Sequence, residues 1–162
     1  MRILVHLRLV VAAALLAGCA HDETAPSVLP GASALRGVDF LAALAVLDTD
    51  ALTADVHVTN RRGAPVALEF PDACVALLRA YDIGGGRVAP VWDQGQVAEC
   101  DGDPASLEIG AGAEAVVRVP QVAIDRVLGD SLPSGTYRFT VYLRPGGQVV
   151  EVAAGTAELE RD

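Results

Sequence analysis

Residues 52–59 read LTADVHVT, an unbroken alternation of apolar and polar side chains. Successive side chains of a β-strand point to opposite faces of its sheet, so this alternation predicts a strand with one buried face. The face predicted to be buried carries Leu52, Ala54, Val56 and Val58. On the opposite face, His57 is predicted to be an exposed strand histidine without a catalytic or ligating role.

The two-residue period continues on both sides of this strand. Residues 38–47 contain good helix formers, but the turn residues at 48–50 and the strand that follows favour a strand there as well. Gly155 shifts the phase of the last strands, which predicts a bulge or a turn. The other strands are predicted at 66–70, 74–81, 87–92, 96–100, 107–109, 113–119 and 136–143 and within 148–160, with a hairpin turn at Gly84-Gly85-Gly86 and a short helical turn in 122–128. About seven to nine short strands separated by turns are typical of a β-sandwich, so residues 38–162 are predicted to form one all-β domain.

The first residues of the chain have a different character. Arg2 and Arg8 precede an apolar run at residues 9–16, and the small residues Ala17 and Gly18 follow. A positive start, a short apolar segment and a small-residue exit define a secretory signal peptide. The alternative, a retained membrane helix, needs about 20 apolar residues, more than this run supplies. Residues 1–18 are therefore predicted to be a cleaved signal peptide.

The end of this segment, Leu16-Ala17-Gly18-Cys19, resembles the lipobox of bacterial lipoproteins. The resemblance implies cleavage between Gly18 and Cys19, with a diacylglycerol on the Cys19 thiol and an acyl chain on its freed amine. Two acyl chains anchor a protein stably, whereas one holds it only marginally. Because Ala20 rather than aspartate follows the cysteine, the resemblance implies the outer membrane, with the domain facing the periplasm. In a host with one membrane, the same lipid places the domain on the outer face of the cell.

Residues 19–37 form the predicted link between the lipid and the domain. They are rich in Ala, Pro, Ser and Gly without a sustained period, which predicts a flexible tether. The whole chain has 12 basic and 21 acidic residues and a formal net charge of −9. Nucleic acids and anionic headgroups attract basic surfaces, so this charge predicts no nucleic-acid partner and membrane contact only through the lipid.

Lipidation of Cys19 leaves Cys74 and Cys100 as a pair. An even pair in an oxidising compartment predicts a disulfide, although two separate buried thiols are the alternative. A hairpin between strands 74–81 and 87–92 brings Cys100 back beside Cys74. On chain-entropy arithmetic such a bridge contributes about 3–4 kcal/mol.

The acidic loop at Asp101-Gly102-Asp103-Pro104 is the strongest candidate for a metal site. Glu99 and Glu108 lie near it in sequence, but the loop lacks the longer series of oxygen ligands that a calcium loop needs. Of the histidines that remain after signal cleavage, neither His21 nor His57 lies near Cys74 or Cys100 in sequence, which argues against a zinc site. No metal and no cofactor beyond the lipid on Cys19 are predicted.

Several short motifs occur in an order that resembles the bacterial immunoglobulin-like domain typified by the intracellular proteinase inhibitor of bacilli. They are Asn60, the strand 66–70, the hairpin that reaches Trp92, the turn at 107–113 and Ser134-Gly135-Thr136-Tyr137. The resemblance implies an immunoglobulin-like sandwich and places Tyr137 at a tyrosine corner, with plain core packing as the alternative. Asp93-Gln94 after Trp92 departs from the family, which often has a serine or a second aromatic there. That departure and the lipid anchor, which the prototype lacks, weaken the transfer of protease inhibition.

The sequence contains no catalytic motif: no nucleophile elbow, no His-Glu-x-x-His pair and no phosphate-binding glycine loop. We therefore expect a non-catalytic module that binds another envelope protein or has a structural role. One alternative is a protease inhibitor that inserts residues 93–99 or 121–131 into a protease. The other is an envelope- or carbohydrate-binding module that uses Trp92 and Tyr142, the latter predicted on the solvent face of its strand. An aromatic content of 4% argues against sugar stacking and favours Trp92 in the core.

Overall fold

The computed structural model describes residues 35, 37–47, 50–84, 88–100 and 102–161. The predicted signal peptide, Cys19 and most of the predicted tether lie outside the described residues, as do the last two glycines of the predicted hairpin turn. Within the described ranges, no helix has the length and apolar character needed to cross a bilayer.

The described residues form ten strands and one short α-helix. They are β1 (Val38–Leu47), β2 (Ala51–Asn60), β3 (Val66–Phe70), β4 (Ala76–Asp82), β5 (Trp92–Asp93), β6 (Ala105–Ile109), β7 (Glu114–Arg118), β8 (Val122–Ala123), α1 (Ile124–Leu128), β9 (Gly135–Leu143) and β10 (Val150–Leu159). Two short 3-10 turns lie at Gln94–Gln96 and Pro145–Gly147. The predicted all-β class is confirmed.

Two antiparallel sheets enclose one core. The first has the order β1-β2-β7, with β8 also paired to β2, and the second has the order β10-β9-β4-β5. β3 and β6 form a separate two-stranded ribbon. In immunoglobulin-type sandwiches, strands A, B and E share one sheet and strands C, F and G share the other. Here β1, β2 and β7 take the first set of places and β4, β9 and β10 take the second.

β2 is central to the first sheet because it pairs with β1 on one side and with β7 and β8 on the other. The predicted buried face is confirmed: Leu52, Ala54, Val56 and Val58 are each 0% exposed. They pack in the same core as Phe139 of the opposite sheet. Burying one such side chain contributes about 1.5–3 kcal/mol, so this alternating stretch is a principal source of the sandwich's stability.

Asn60 ends β2 with a fully buried side chain. Its amide nitrogen lies 2.9 Å from the Ala64 carbonyl oxygen, 3.1 Å from that of Ile109 and 2.9 Å from that of Gly110. Its amide oxygen accepts a hydrogen bond from the Arg62 backbone N–H at 2.9 Å. One buried amide therefore fixes the turn after β2 against the turn that joins β6 to β7.

Tyr137 lies at the start of β9, and its hydroxyl donates a hydrogen bond to the Pro133 carbonyl at 2.6 Å. This link confirms the tyrosine corner, and the ring is also part of the core. The bulge predicted at Gly155 is confirmed by a register shift between Ala153 and Gly155 in the pairing of β10 with β9. Gly155 has φ +128°, a conformation that side-chain-bearing residues rarely adopt.

The return strand of the β4 hairpin is shorter than predicted. Residues 87–92 were expected to form it, but only Trp92–Asp93 pair with β4. Pro90 contributes to this difference, because proline has no N–H to donate to a strand ladder.

The prediction of a short strand at residues 96–100 is wrong. The chain instead turns through Gln94–Gln96 and continues to Cys100 without strand pairing. The Asp93 side chain accepts a hydrogen bond from the Gly95 N–H at 2.9 Å. Such a local side-chain bond competes with the strand ladder and favours a turn.

Candidate binding surface

A cluster of charged and aromatic side chains covers the face of the β10-β9-β4-β5 sheet that points away from the core. It draws on all four strands, because β4 pairs with both β5 and β9 and β9 pairs with β10. We call the following residues the outer-face cluster: Arg79, Tyr81, Asp93, Thr140, Tyr142 and Glu151.

Arg79 lies at the centre of the outer-face cluster. Its Nε donates to Asp93 Oδ2 at 2.9 Å, and its Nη1 donates to Glu151 Oε2 at 3.0 Å. The guanidinium carbon also lies 3.9 Å from the centroid of the Tyr142 ring, a cation–π contact. Because Asp93 is in β5 and Glu151 is in β10, Arg79 links both edge strands to the middle of the sheet.

The hydroxyl groups of the two tyrosines in the cluster donate hydrogen bonds to the two carboxylates that Arg79 also contacts. Tyr142 donates to Asp93 Oδ1 at 3.0 Å, and Tyr81 donates to Glu151 Oε1 at 2.5 Å. Burial, together with the bond to Asp93, raises the pKa of Tyr142 to about 12. Burial, together with the bond to Glu151, raises the pKa of Tyr81.

Glu151 stays ionised although it is partly buried. Burial by itself raises its pKa, but hydrogen bonds from Tyr81, Thr140 and Arg79 outweigh burial and lower the pKa below the usual value. General acid–base catalysis needs a group that titrates near the working pH. In this cluster the tyrosines keep their protons and Glu151 keeps its charge at neutral pH, an arrangement suited to holding strands in place.

The outer-face cluster also holds the loop that follows β5. Asp93 Oδ1 accepts from both the Tyr142 hydroxyl and the Gly95 N–H, at 3.0 Å and 2.9 Å. A Cβ atom at position 95 would overlap the Tyr142 hydroxyl oxygen. The loop therefore approaches Tyr142 so closely that glycine is required at this position.

Gln94 joins the same loop to both sheets. The side chain is buried. Its Oε1 accepts from the Leu78 N–H of β4 at 3.0 Å, and its Nε2 donates to the Pro120 carbonyl at 3.3 Å, just after β7. Gln94 thus spans the gap between the sheets and completes the hydrogen bonding of a central strand.

The loop ends at a disulfide. Cys74 and Cys100 are bonded, with their Cα atoms 5.3 Å apart, which confirms the predicted pairing. Asp72 lies close to both sulfur atoms. Sulfurs joined to each other are not thiolate ligands, and the Asp72 carboxylate accepts from the Cys74 N–H at 3.0 Å and from Arg144 Nη2 at 2.6 Å. The disulfide therefore links the end of the loop covalently to the residues just before β4.

Two loops that the sequence suggests for binding, 93–99 and 121–131, form the walls of one cleft with a volume of about 360 Å³. We call it the loop cleft. Its lining consists of Gln94, Val97, Ala98, Gln121, Val122, Ala123 and Arg126. A second depression of about 310 Å³ lies near the start of β1, between Leu35, Arg62 and Pro145. Of these two depressions, the loop cleft is the one that joins the two loops predicted as candidate inhibitor loops.

Arg126 is the arginine of the loop cleft. It is exposed in α1 and lines the loop cleft. Among the described residues it has no hydrogen bond, ion pair or ring contact. The loop cleft therefore combines amide groups, small apolar side chains and one guanidinium that has no partner among the described residues.

The individual residues predicted for binding lie elsewhere. Tyr142 is on the outer face of its sheet, as the alternation predicts, but it is only 6% exposed because the cluster and the loop cover it. Trp92 is half-buried and packs against the core, and its ring N–H has no hydrogen-bond partner among the described residues. Neither ring forms an open platform: Tyr142 donates a hydrogen bond to Asp93, and Trp92 packs against the core.

His57 is placed as predicted, on the outer face of β2 with an exposed side chain. Its Nδ1 lies 2.8 Å from Glu114 Oε1, and this contact lowers the pKa of the Glu114 carboxyl. Arg79 is a site residue that the sequence prediction missed. It had a visible signal, since it is the lone charge in a strand that is otherwise apolar on both faces. Gln94 and Arg126 lie within the predicted loops 93–99 and 121–131, but no local pattern distinguishes either residue from its neighbours.

No protein-family model matches this chain. No curated protein matches it either. Among solved structures, the chain is similar to a β-glucosidase from Listeria innocua in complex with glucose, with 14% identity and a TM-score of 0.38. The match covers 76% of this chain but spans only 17% of that enzyme's chain. A likeness of this size carries no argument about function.

Proposed function

We propose that this protein is a lipid-anchored lipoprotein of the cell envelope whose β-sandwich binds another protein and catalyses no reaction. The proposed anchor is the lipid on Cys19, with the domain facing the periplasm from the outer membrane. The Cys74–Cys100 disulfide supports an envelope location, because disulfides persist in oxidising compartments. The proposed binding site is the loop cleft.

One observation carries this proposal: the loop cleft lies away from the point where the tether joins the domain. Val38, the first residue of β1, pairs with Asn60 at one end of β2. Ala123 of the cleft pairs with Ala51 at the other end of β2. β2 has 10 residues, so these two points are about 30 Å apart. A domain anchored at its first strand would direct this site away from its own membrane.

The loop cleft is also held in shape before any partner arrives. Asp93, Gln94 and the disulfide at Cys100 fix three points along one wall. Ordering a loop on binding costs about 0.5–1.5 kcal/mol for each immobilised side chain, and a fixed wall avoids much of that cost. This preorganisation supports a binding role.

The lining of the loop cleft supports binding rather than catalysis. Amides, methyl groups and a guanidinium hydrogen-bond and pack against a peptide, but they neither attack a carbonyl nor move a proton at neutral pH. The two loops also form a concave site. A concave site receives a partner's segment, whereas a protease inhibitor presents a protruding loop to the enzyme.

The anchor is tested by mass spectrometry of the mature protein and by Cys19→Ala. We expect an acylated Cys19 as the first residue, and release of the Cys19→Ala protein from membranes by a salt wash without detergent. Equal retention of both proteins would overturn the lipid anchor.

The binding role is tested by photo-crosslinking in the producing cells, with a photoreactive amino acid at Val97 in the loop cleft. We expect one reproducible protein partner. In parallel, titration against a panel of serine proteases tests the inhibitor alternative, for which we expect no inhibition. Turnover of a small substrate without any protein partner would contradict the proposal.

A further inference from the structure

We propose that the loop cleft receives an extended segment of the partner protein that carries one carboxylate, and that Arg126 binds this carboxylate. The inference rests on the proposed function and adds the chemistry of the partner. It follows from how the fold uses its arginines, from the lining of the cleft and from the net charge of the chain.

Of the seven other described arginines, four have carboxylate partners. Arg61, Arg79, Arg118 and Arg144 each form an ion pair at 3.0 Å or less. Arg138 lies over the Tyr81 ring and Arg161 donates to backbone carbonyls. Arg62 has no side-chain partner among the described residues, but it lies outside the loop cleft.

Arg126 has no ion pair among the described residues, and no aspartate or glutamate is among the side chains that line the loop cleft. A planar guanidinium presents its donors in a fork that matches a carboxylate, so an incoming carboxylate is the natural partner of this group.

The rest of the lining fits an extended peptide. Val97 is 50% exposed, and Val122, Ala98 and Ala123 add small apolar surface. Gln121 offers an exposed amide, which has both a donor and an acceptor for the alternating N–H and C=O groups of an extended backbone. The cleft volume of about 360 Å³ lies within the range of roughly 300–1,000 Å³ that is usual for ligand pockets.

The net charge limits how acidic the partner's segment is. The chain has a formal net charge of −9, so a run of acidic residues would be repelled by the domain as a whole. A single carboxylate meets one local guanidinium and little of that repulsion. An apolar segment with one Asp, one Glu or a free carboxyl terminus is the occupant that satisfies both conditions.

The experiment uses the full-length lipoprotein in the cells that produce it, with a photoreactive amino acid at Val97. The crosslinked peptide is sequenced, and the crosslinking yield is compared between the parent, Arg126→Gln and Arg62→Gln. Arg62 is an exposed arginine near the start of β1, so its substitution makes the same change of charge outside the loop cleft. Thermal unfolding with the disulfide intact checks that each variant is folded.

We expect a crosslinked segment with a carboxylate within three residues of the reacted position. We also expect a yield about tenfold lower in Arg126→Gln and unchanged in Arg62→Gln, since an arginine at the energetic centre of an interface is worth at least that factor. A segment without a carboxylate, or an equal yield in Arg126→Gln, would overturn the inference and leave protein binding intact. If Val97 captures nothing but a scan of Val116, Val149 and Ile83 captures a partner, the inference also fails. Capture at none of these positions would overturn the proposed function itself.

Discussion

Arg79 and Arg118 lie on opposite outer faces of the sandwich, and each donates a hydrogen bond from its Nε to an aspartate. The Arg79 and Asp93 side chains are 23% and 10% exposed. The Arg118 and Asp55 side chains are 72% and 33% exposed. Arg79 also reaches Glu151 and the Tyr142 ring, whereas Asp55 is the one side chain that Arg118 reaches within the described part of the chain. The same pair of residue types thus belongs to a shared network on one face and to an isolated surface pair on the other.

This difference shows that the surroundings of an ion pair matter more for its contribution to stability than its N–O distance does. Water and salt screen exposed pairs, so most of them contribute little to stability. On the outer face of the β10-β9-β4-β5 sheet, each carboxylate has several donors, and the loss of one partner leaves a partly buried charge uncompensated. The network around Arg79 fixes several strands and the loop after β5, and this loop forms one wall of the loop cleft.

The largest effect is expected from Arg79→Ala. Removing one partner of a buried ion pair costs about 3–5 kcal/mol, and because Arg79 is only partly buried we expect a loss of about 2–4 kcal/mol in the free energy of unfolding. Urea denaturation with the disulfide intact measures this loss. Arg118→Ala is the matched control, for which we expect a much smaller change. Equal losses in the two variants would remove the distinction between the faces.

A smaller loss is expected from Gln94→Ala, which leaves the Leu78 N–H of a central strand without its partner. An unsatisfied buried donor costs about 1–3 kcal/mol. Gln121→Ala removes an exposed amide from the same cleft and serves as the control, with no measurable change. Hydrogen exchange at Leu78 provides a direct readout, since its protection should fall in the Gln94 variant alone.

Tyr142→Phe should alter the stability of the domain at alkaline pH. The pKa of Tyr142 is raised from 10.0 to about 12 in the folded protein, so its contribution is fully present below pH 10 and is lost as the pH rises towards 12. The parent should therefore lose stability across this window more steeply than Tyr142→Phe. Absorbance titration of the tyrosinates in the folded protein checks the assignment, and parallel curves for the two proteins would contradict it.

The smallest effect is expected from Asp55→Asn on the other face. The hydrogen bond from Arg118 lowers the pKa of the Asp55 carboxyl below 3.8, so its contribution is present above that pH and is lost as the pH falls through the folded value. We expect a slight loss of stability at neutral pH that shrinks with added salt. The two proteins should converge once the pH has fallen through the folded pKa of Asp55, and a difference that persists in strong acid would point to a cause other than this ion pair.

Local sequence pattern determined much of the fold. The alternation at residues 52–59 is sufficient to predict both the strand and its buried face, since a strand has only two faces and only one of them is apolar. The bulge at Gly155 and the tyrosine corner at Tyr137 were also predictable from the sequence, because each depends on a few neighbouring residues. The Cys74–Cys100 pairing followed from counting cysteines and from the hairpin between them.

Tertiary structure alone decided the register between distant strands and therefore the side-chain contacts that this register creates. The outer-face cluster joins Arg79 to Asp93, 14 residues away, and to Glu151, 72 residues away. No local pattern encodes which residues of two distant strands come to lie side by side, because register is set by how the two sheets close over the shared core. For the same reason, no local pattern places Arg126 across a cleft from the loop that follows Asp93. The sequence by itself determined which side chains lie inside and which lie outside; only the packed sandwich decided which outer side chains meet.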